Sequence, residues 1–166
     1  SRESVALADL ARDTVAELAP GAIRAGHDLG LVVDAPASVQ GNRALLAALL
    51  RNLVDNALRH GVAGTTAGAD AAAPPPPSRA IGVTVRVAQA AGVATLEVED
   101  DGVGVAPGEL ARLGEYFERP AGTSAAGSGL GLALARRIAE VHGGRLAFAP
   151  GSGGRGLRVT LTMPVS

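Results

Sequence analysis

The chain has 166 residues, with 15 basic and 16 acidic side chains and a formal net charge of −1. This balance excludes a chain-wide electrostatic attraction to nucleic acid or to an anionic membrane. Cysteine is absent and the three histidines are far apart, which excludes disulfides and thiolate sites and disfavours histidine metal clusters. No apolar run approaches the roughly 20 residues of a membrane helix. We therefore expect a single soluble domain over residues 1–166, from a reducing compartment.

Two helices and a strand are predicted in the first third of the chain. Apolar residues at helical spacing predict a helix over residues 3–19, ended by Pro20 and Gly21, and residues 29–34 are typical of a short strand. Asn42 is positioned to cap a second helix that runs to about His60. The apolar stripe of this second helix consists of Leu46, Leu49, Leu50, Leu53, Ala57 and Leu58.

A polar group interrupts the second helix. Asn52 and Asn56 are one turn apart, and Arg59 follows three residues later on the same side. Asparagine is a poor residue for a helix interior because its amide competes for backbone hydrogen bonds. The pattern indicates either a bound polar ligand or an ordinary solvated helix face.

The middle of the chain contains a connector and then two strands. Residues 62–79 are rich in alanine and proline and predict a flexible insert. Residues 81–87 and 93–99 alternate between apolar and polar side chains, which predicts an antiparallel pair.

The second of these strands ends in the sequence LEVEDDGVG, residues 96–104. Alternation places Asp100 on the same face as Leu96 and Val98, so its carboxylate points towards the core and needs hydrogen-bond donors. Gly102 and Gly104 permit a sharp turn and a close approach of the backbone to a ligand. The alternative interpretation is a simple Asp-Asp-Gly hairpin turn.

The last third begins with a long segment over residues 105–128, which we expect to be a mobile lid. The sequence GSGLGL, residues 127–132, then opens a helix with a predicted apolar stripe at Leu130, Leu134, Ile138 and Val141. A glycine-rich turn at a helix N-terminus suits phosphate. The pattern is neither a Walker loop nor a convincing dinucleotide fingerprint. Residues 145–149 and 157–163 are predicted to complete the sheet.

Three motifs now stand in a fixed order: NLVDNALRH, DDGVG and GSGLGL. Together they closely resemble the asparagine box and the two glycine boxes of the catalytic and ATP-binding domains of two-component sensor histidine kinases. Those domains belong to the GHKL, or Bergerat-fold, superfamily shared with gyrase, MutL and a heat-shock chaperone. The resemblance implies an α+β fold, a two-layer α/β sandwich in which a mixed, mostly antiparallel sheet is covered by three helices. It also implies an ATP lid over residues 105–128.

The resemblance implies a role for each matching residue. Asn56 would bind Mg²⁺, with Asn52 close to the same ion and to the phosphates of ATP or ADP. Arg59 would act with Asn52 on the phosphates, His60 would lie beside the nucleotide, and Asp100 would accept the adenine amino group. The other implied nucleotide-binding residues lie in the glycine boxes and the lid, where Phe117 occupies the phenylalanine box: Gly102, Gly104, Phe117, Arg119, Gly127, Gly129, Leu130, Gly131 and Leu132.

Three departures from the family pattern limit what is carried over. Asp101 replaces an asparagine common after the key aspartate, and Leu157 stands where many members have threonine near the adenine. The phospho-accepting segment His-Glu/Asp-Leu-x-x-Pro is absent. The chain therefore resembles only the ATP-binding half of a kinase, and we expect it to be the cytoplasmic part of a membrane-anchored sensor. The isolated domain is expected to be a monomer whose partner is the dimerisation hairpin of its parent and, indirectly, a response regulator.

Position 52 distinguishes the branches of the superfamily. Members that hydrolyse ATP carry a glutamate there, whereas the amide of Asn52 cannot act as a general base. This favours an ATP-dependent protein-histidine kinase. An anti-sigma-factor serine kinase of the same fold and a nucleotide-binding module without transfer activity remain as alternatives.

Overall fold

The computed structural model describes residues 2–63, 80–103 and 129–166. Three α-helices are described: α1 (Leu7–Arg24), α2 (Arg43–Ala63) and α3 (Gly129–Val141). The strands are β1 (Glu3–Ala6), β2 (Asp28–Val33), β3 (Ser38–Gly41), β4 (Gly82–Ala90), β5 (Val93–Asp100), β6 (Arg145–Pro150) and β7 (Leu157–Pro164), with a 3-10 turn at Ser152–Gly154. None of the described helices is long and apolar enough to cross a membrane.

The main sheet has five strands in the order β2-β4-β5-β7-β6. Only β2 and β4 are parallel, and the other neighbours are antiparallel. The antiparallel pairing of β4 with β5 confirms the prediction made from their alternating sequences. Among the described residues, a second sheet pairs β1 with β3.

All three helices pack on one face of the main sheet. Helix α1 covers β2 and β4, α2 lies in the middle against β4, β5 and β7, and α3 covers β6. The sheet side of this interface consists of Val83, Val85, Val87, Ala94, Leu96, Val98, Val159, Leu161 and Met163, all buried. The predicted two-layer α+β sandwich is confirmed.

The start of the chain differs from the prediction. Residues 3–6 form a strand rather than the first turn of α1, because Val5 pairs with Val39 and is buried there. Neither β1 nor its partner β3 was predicted. Helix α1 also continues through Pro20 to Arg24. Proline removes one helical hydrogen bond, and this is tolerated because Ala16 and Pro20 both lie on the exposed side.

Most of the predicted insert and all of the predicted lid lie outside the described residues. Helix α2 continues three residues beyond its predicted end, to Ala63, so the first two residues of the predicted 62–79 insert are helical. Residues 64–79 and the predicted lid over residues 105–128 lie outside the described residues, and both remain predictions.

Candidate functional site

Asp100 occupies the last position of β5, on the face that carries the core. Its side chain is 5% exposed, and its Oδ1 accepts a hydrogen bond of 2.9 Å from the backbone N–H of Gly102. Burial raises the pKa of the Asp100 carboxyl above its ordinary value, although the backbone N–H groups of Gly102 and Leu157 act in the opposite direction. The carboxylate is therefore held in place by backbone donors at the point where the sheet opens.

A glycine-rich loop between β6 and β7 closes over the backbone of Asp100. A Cβ atom on Gly156 would lie 1.8 Å from the Asp100 carbonyl oxygen, and one on Gly151 would lie 3.1 Å from it. Gly156 also has a positive φ of 75°. Only glycine at position 156 permits this approach. This loop was not predicted from the sequence, although its composition, GSGGRG, was a usable signal.

Asp101 performs a different task from its neighbour. Its side chain is exposed, and its Oδ1 accepts a hydrogen bond of 2.7 Å from the backbone N–H of Gly82. The backbone N–H of Asp101 donates to the carbonyl oxygen of Gly82 at 3.1 Å. Asp101 therefore connects the turn to the beginning of β4 through two hydrogen bonds, a contact that was not predicted from the sequence.

Helix α2 carries the predicted asparagines. Asn42 caps the helix as predicted, because its Oδ1 accepts a hydrogen bond of 3.0 Å from the backbone N–H of Leu45. Asn52 and Asn56 are half-buried beside the apolar stripe, whereas Arg59 is exposed. The Nδ2 atom of Asn56 is buried and has no hydrogen-bond partner among the described residues. A buried amide without a partner is costly, so this atom is a natural point of contact for a ligand.

The beginning of α3 lies on the same side of the sheet, because α2 packs against both α3 and β5. The helix starts at Gly129 and includes the predicted residues Leu130, Gly131 and Leu132. Its first backbone N–H groups lack partners within the helix and carry the positive end of the helix dipole. Such a terminus is suited to phosphate when a nucleotide is bound.

The predicted apolar stripe of α3 is wrong at two of its four positions. Leu134 and Val141 are each 48% exposed, while Ala135, Ile138 and Ala139 form the buried face. A helix rotates by about 100° per residue, so the buried face is one position away from the predicted one. Ala135 and Ala139 pack into the hydrophobic core from this face.

The remaining predicted site residues are placed only in part. His60 lies near the end of α2, and Gly102 is buried in the turn after Asp100. Gly104, Phe117, Arg119 and Gly127 lie outside the described residues. Leu157, which replaces the family's threonine, lies at the beginning of β7, and its backbone N–H acts on Asp100.

The predicted metal ligands on α2 are amide oxygens. In the described part of the chain, no group of three or more histidine, aspartate or glutamate side chains is arranged to hold a metal ion. Mg²⁺ retains several waters and needs only one or two protein oxygens when it also binds phosphates. The half-buried amides of Asn52 and Asn56 fit that requirement.

The fold and the site together define a nucleotide-binding domain of the GHKL type. The chain belongs to the histidine kinase-, DNA gyrase B- and HSP90-like ATPase family, whose model matches residues 41–166. Within it, the chain is similar to sensor protein QseC of Escherichia coli K12, with 35% identity over 145 residues. That match covers 87% of this chain and 28% of QseC, so the chain spans less than a third of this relative's length.

Solved structures agree with this assignment. The mycobacterial sensor histidine kinase MprB has a TM-score of 0.70 and 26% identity, over 99% of this chain and 98% of the other. Full-length ShkA, solved in complex with AMPPNP, has a TM-score of 0.74 and 26% identity, over 100% of this chain and 31% of the other. The predicted identity as the ATP-binding domain of a sensor histidine kinase is confirmed, and neither alternative is favoured.

Proposed function

We propose that this domain binds ATP with Mg²⁺ and donates the γ-phosphate to a histidine on a separate dimerisation hairpin of its parent protein. The observation that carries this proposal is the buried carboxylate of Asp100, which faces the core at the opening of the sheet. An acceptor in that position suits the amino group of adenine. The complex of ShkA with AMPPNP, an ATP analogue, supports the assignment.

The asparagines of α2 would hold the metal. Asn56 would bind the ion through its Oδ1, and Asn52 lies one turn before it. The buried Nδ2 of Asn56, which has no partner among the described residues, would donate to a phosphate oxygen instead. When bound, Mg²⁺ would neutralise charge on the phosphate oxygens. Asn56 would fix the ion's position relative to the nucleotide, with Asn52 as its second amide ligand.

Phosphoryl transfer needs mainly positioning and stabilisation of charge. Arg59 is exposed on α2, one turn beyond Asn56, where its guanidinium can reach the phosphates. The N-terminal N–H groups of α3 supply further donors. None of these groups can take a proton from an attacking nucleophile, so the base must come with the acceptor.

The parent protein supplies the remaining components of the proposal. The hairpin would bring the phospho-accepting histidine, and a response regulator would then receive the phosphate in two-component signalling. We place the domain in the cytoplasm, where ATP is available, and expect the isolated domain to be a monomer. The single domain over residues 1–166 would contain a flexible insert at 62–79 and an ATP lid at 105–128.

Radiolabelled ATP tests this function. The domain is mixed with the dimeric hairpin of its own parent, and we expect acid-labile, base-stable label on the hairpin. Asn56→Ala should reduce the rate of transfer at least about 100-fold, because the ion and the γ-phosphate lose their alignment. Gln89→Ala removes an exposed amide at the end of β4 and should change nothing. Label on a serine, or no label on a competent hairpin, would contradict the proposal.

A further inference from the structure

A buried histidine joins the end of α3 to the beginning of α2. His142 is 5% exposed, its Nδ1 lies 2.7 Å from the carbonyl oxygen of Ile138, and its Nε2 lies 3.0 Å from the backbone N of Asn42. A carbonyl oxygen can only accept a hydrogen bond, and a backbone N–H can only donate one. The proton of His142 therefore resides on Nδ1, and Nε2 is the acceptor.

Both partners of this contact are helix caps. Helix α3 ends in a Schellman motif. The backbone N–H of Gly144 donates to the carbonyl oxygen of Ala139 at 2.8 Å, and that of Gly143 donates to the backbone carbonyl oxygen of Glu140 at 3.0 Å. His142 is the C-cap residue of that motif. Asn42 is the N-cap residue of α2, and the same residue that caps α2 through its side chain donates to His142 through its backbone.

The space for the imidazole depends on a glycine. A Cβ atom on Gly41 would lie 2.4 Å from Cδ2 and 2.7 Å from Nε2 of His142. The imidazole thus lies directly on the backbone at the end of β3. Val141 precedes His142 and is the last residue of α3. Its carbonyl oxygen accepts a hydrogen bond of 2.8 Å from the guanidinium of Arg2. The end of α3 is therefore held by two hydrogen bonds to the first 42 residues of the chain.

This junction matters because the two helices bring different parts of the proposed site. Helix α2 carries Asn52 and Asn56, and α3 begins with the second glycine box. The two helices pack against each other, and Ala135 and Ala139 are part of the buried apolar face of α3. Apolar contacts are not directional, so they oppose sliding of one helix along the other only weakly. A hydrogen bond between the caps fixes that register.

We propose that His142 is a positioning residue for nucleotide binding, which sets the position of α3 along α2 through its Nε2 bond to Asn42. This inference rests on the proposed function. Loss of the Nε2 bond should leave both helices folded while their relative position varies. The apparent affinity for nucleotide would fall, because only a fraction of molecules would present both parts of the site together.

Two substitutions separate the two hydrogen bonds of the imidazole. His142→Gln puts a carbonyl oxygen near the position of Nε2 and retains the acceptor for Asn42. His142→Asn puts an amide N–H near the position of Nδ1 and retains only the donor to Ile138. Asn42→Ala is the control, because it removes the side-chain cap of α2 but leaves the backbone N–H that donates to His142.

Calorimetry with ADP and Mg²⁺ and thermal unfolding without nucleotide are measured for each variant. We expect His142→Asn to bind ADP about ten-fold or more weakly, and His142→Gln to bind within about three-fold of the wild type. Asn42→Ala should lower the melting temperature without changing the ADP affinity. Equal losses of affinity in both His142 variants, in proportion to their losses of stability, would overturn the proposal.

The wild-type chain gives a second test that does not depend on folding of the variants. The ¹⁵N chemical shifts of the imidazole should show a protonated Nδ1 and an unprotonated Nε2. The opposite tautomer would overturn the proposal, whatever the variants do. A wild-type chain that shows the expected tautomer but binds no nucleotide would instead contradict the proposed function, and positioning for nucleotide would fall with it.

Discussion

The buried carboxylate of Asp100 destabilises the nucleotide-free fold, and a ligand that donates a hydrogen bond to it would be bound more tightly for that reason. Burial raises its pKa, which means that the charged form is less favourable in the folded chain than in water. A ligand that donates a hydrogen bond to the charged oxygen relieves part of this cost. The residue that disfavours the empty domain is thus the one expected to recognise adenine.

The first prediction at this scale concerns affinity. Asp100→Asn keeps an acceptor for Gly102 but removes the charge that accepts the adenine amine. Hydrogen bonds to charged groups contribute about 1.5–3 kcal/mol, so ADP should bind roughly ten-fold to one hundred-fold more weakly by calorimetry. The control Asp101→Asn removes a negative charge from the next residue, whose side chain contacts Gly82. This variant should bind ADP with the affinity of the wild type. Equal affinities of Asp100→Asn and wild type would exclude Asp100 as the adenine acceptor.

The second prediction concerns stability without nucleotide. A carboxyl whose pKa is raised by folding stabilises the fold below the ordinary aspartate pKa, and that contribution is lost as the pH rises through the raised value. Asp100→Asn should therefore have a higher free energy of unfolding than the wild type at pH 7, by about 1.4 kcal/mol for each unit of the shift. The difference in free energy of unfolding between Asp100→Asn and the wild type should vanish on acidification. Urea unfolding at several pH values measures it, and a less stable variant at pH 7 would contradict the prediction.

Residue-level features were predictable where local spacing determined them. Alternation placed Asp100 on the core face, and local sequence identified the cap at Asn42. The contacts of Asp101 with Gly82 and of His142 with Asn42 were not predictable. They join residues that are 19 and 100 positions apart, and no local pattern encodes such a distance.

At the scale of elements, the β6–β7 loop packs against the backbone of Asp100. Gly156 has a φ of 75° and would bring a Cβ atom against the Asp100 carbonyl, whereas Gly154 has a φ of 76° and open space around it. The two positions have nearly the same positive φ and differ in their surroundings. This pair separates the effect of the left-handed conformation from the effect of the steric clash.

The third prediction uses this pair. Gly154→Ala should lower the free energy of unfolding by about 1–2 kcal/mol, the cost of a left-handed L-residue. Gly156→Ala adds a clash that the fold relieves only by moving the end of β5, which costs about 1–3 kcal/mol more. Only Gly156→Ala should also weaken ADP binding, because Asp100 moves with the backbone. Chemical unfolding and calorimetry measure both effects, and equal stabilities of the two variants would show that the clash is absent.

The elements themselves were predictable in proportion to their periodicity. Strands β4, β5 and β7 alternate and were placed to within a few residues. Strand β1 was assigned to a helix because Val5 fits either pattern, and its pairing with β3 decides between them. The buried face of α3 was misassigned because alanine carries a weak hydrophobic signal, although Ala135 and Ala139 make the contact with the core.

At the scale of the whole molecule, the site is assembled from elements that are far apart in the sequence. Helix α2 packs against both β5 and α3, and the proposed site takes its residues from these three elements. The order of the three motifs made this assembly predictable through the family resemblance, whereas composition and periodicity alone would have left it undetermined. What the assembly offers is acceptors, amides and N–H donors, and it lacks a general base on α2 at position 52.

The fourth prediction follows from that missing base. The chain alone should hydrolyse ATP very slowly, because the amide of Asn52 cannot activate water. Asn52→Glu places a carboxylate where the hydrolysing branch of the superfamily carries one, and should raise the rate of phosphate release at least about ten-fold, since general-base catalysis contributes roughly 100-fold or more in a well-placed site. Asn52→Gln has the same length without the base and should not raise it. Rates are measured as phosphate released under saturating ATP and Mg²⁺. Rapid hydrolysis by the wild-type chain would identify it as an ATPase in its own right, and equal rates for the two variants would show that a base at position 52 does not reach the attacking water.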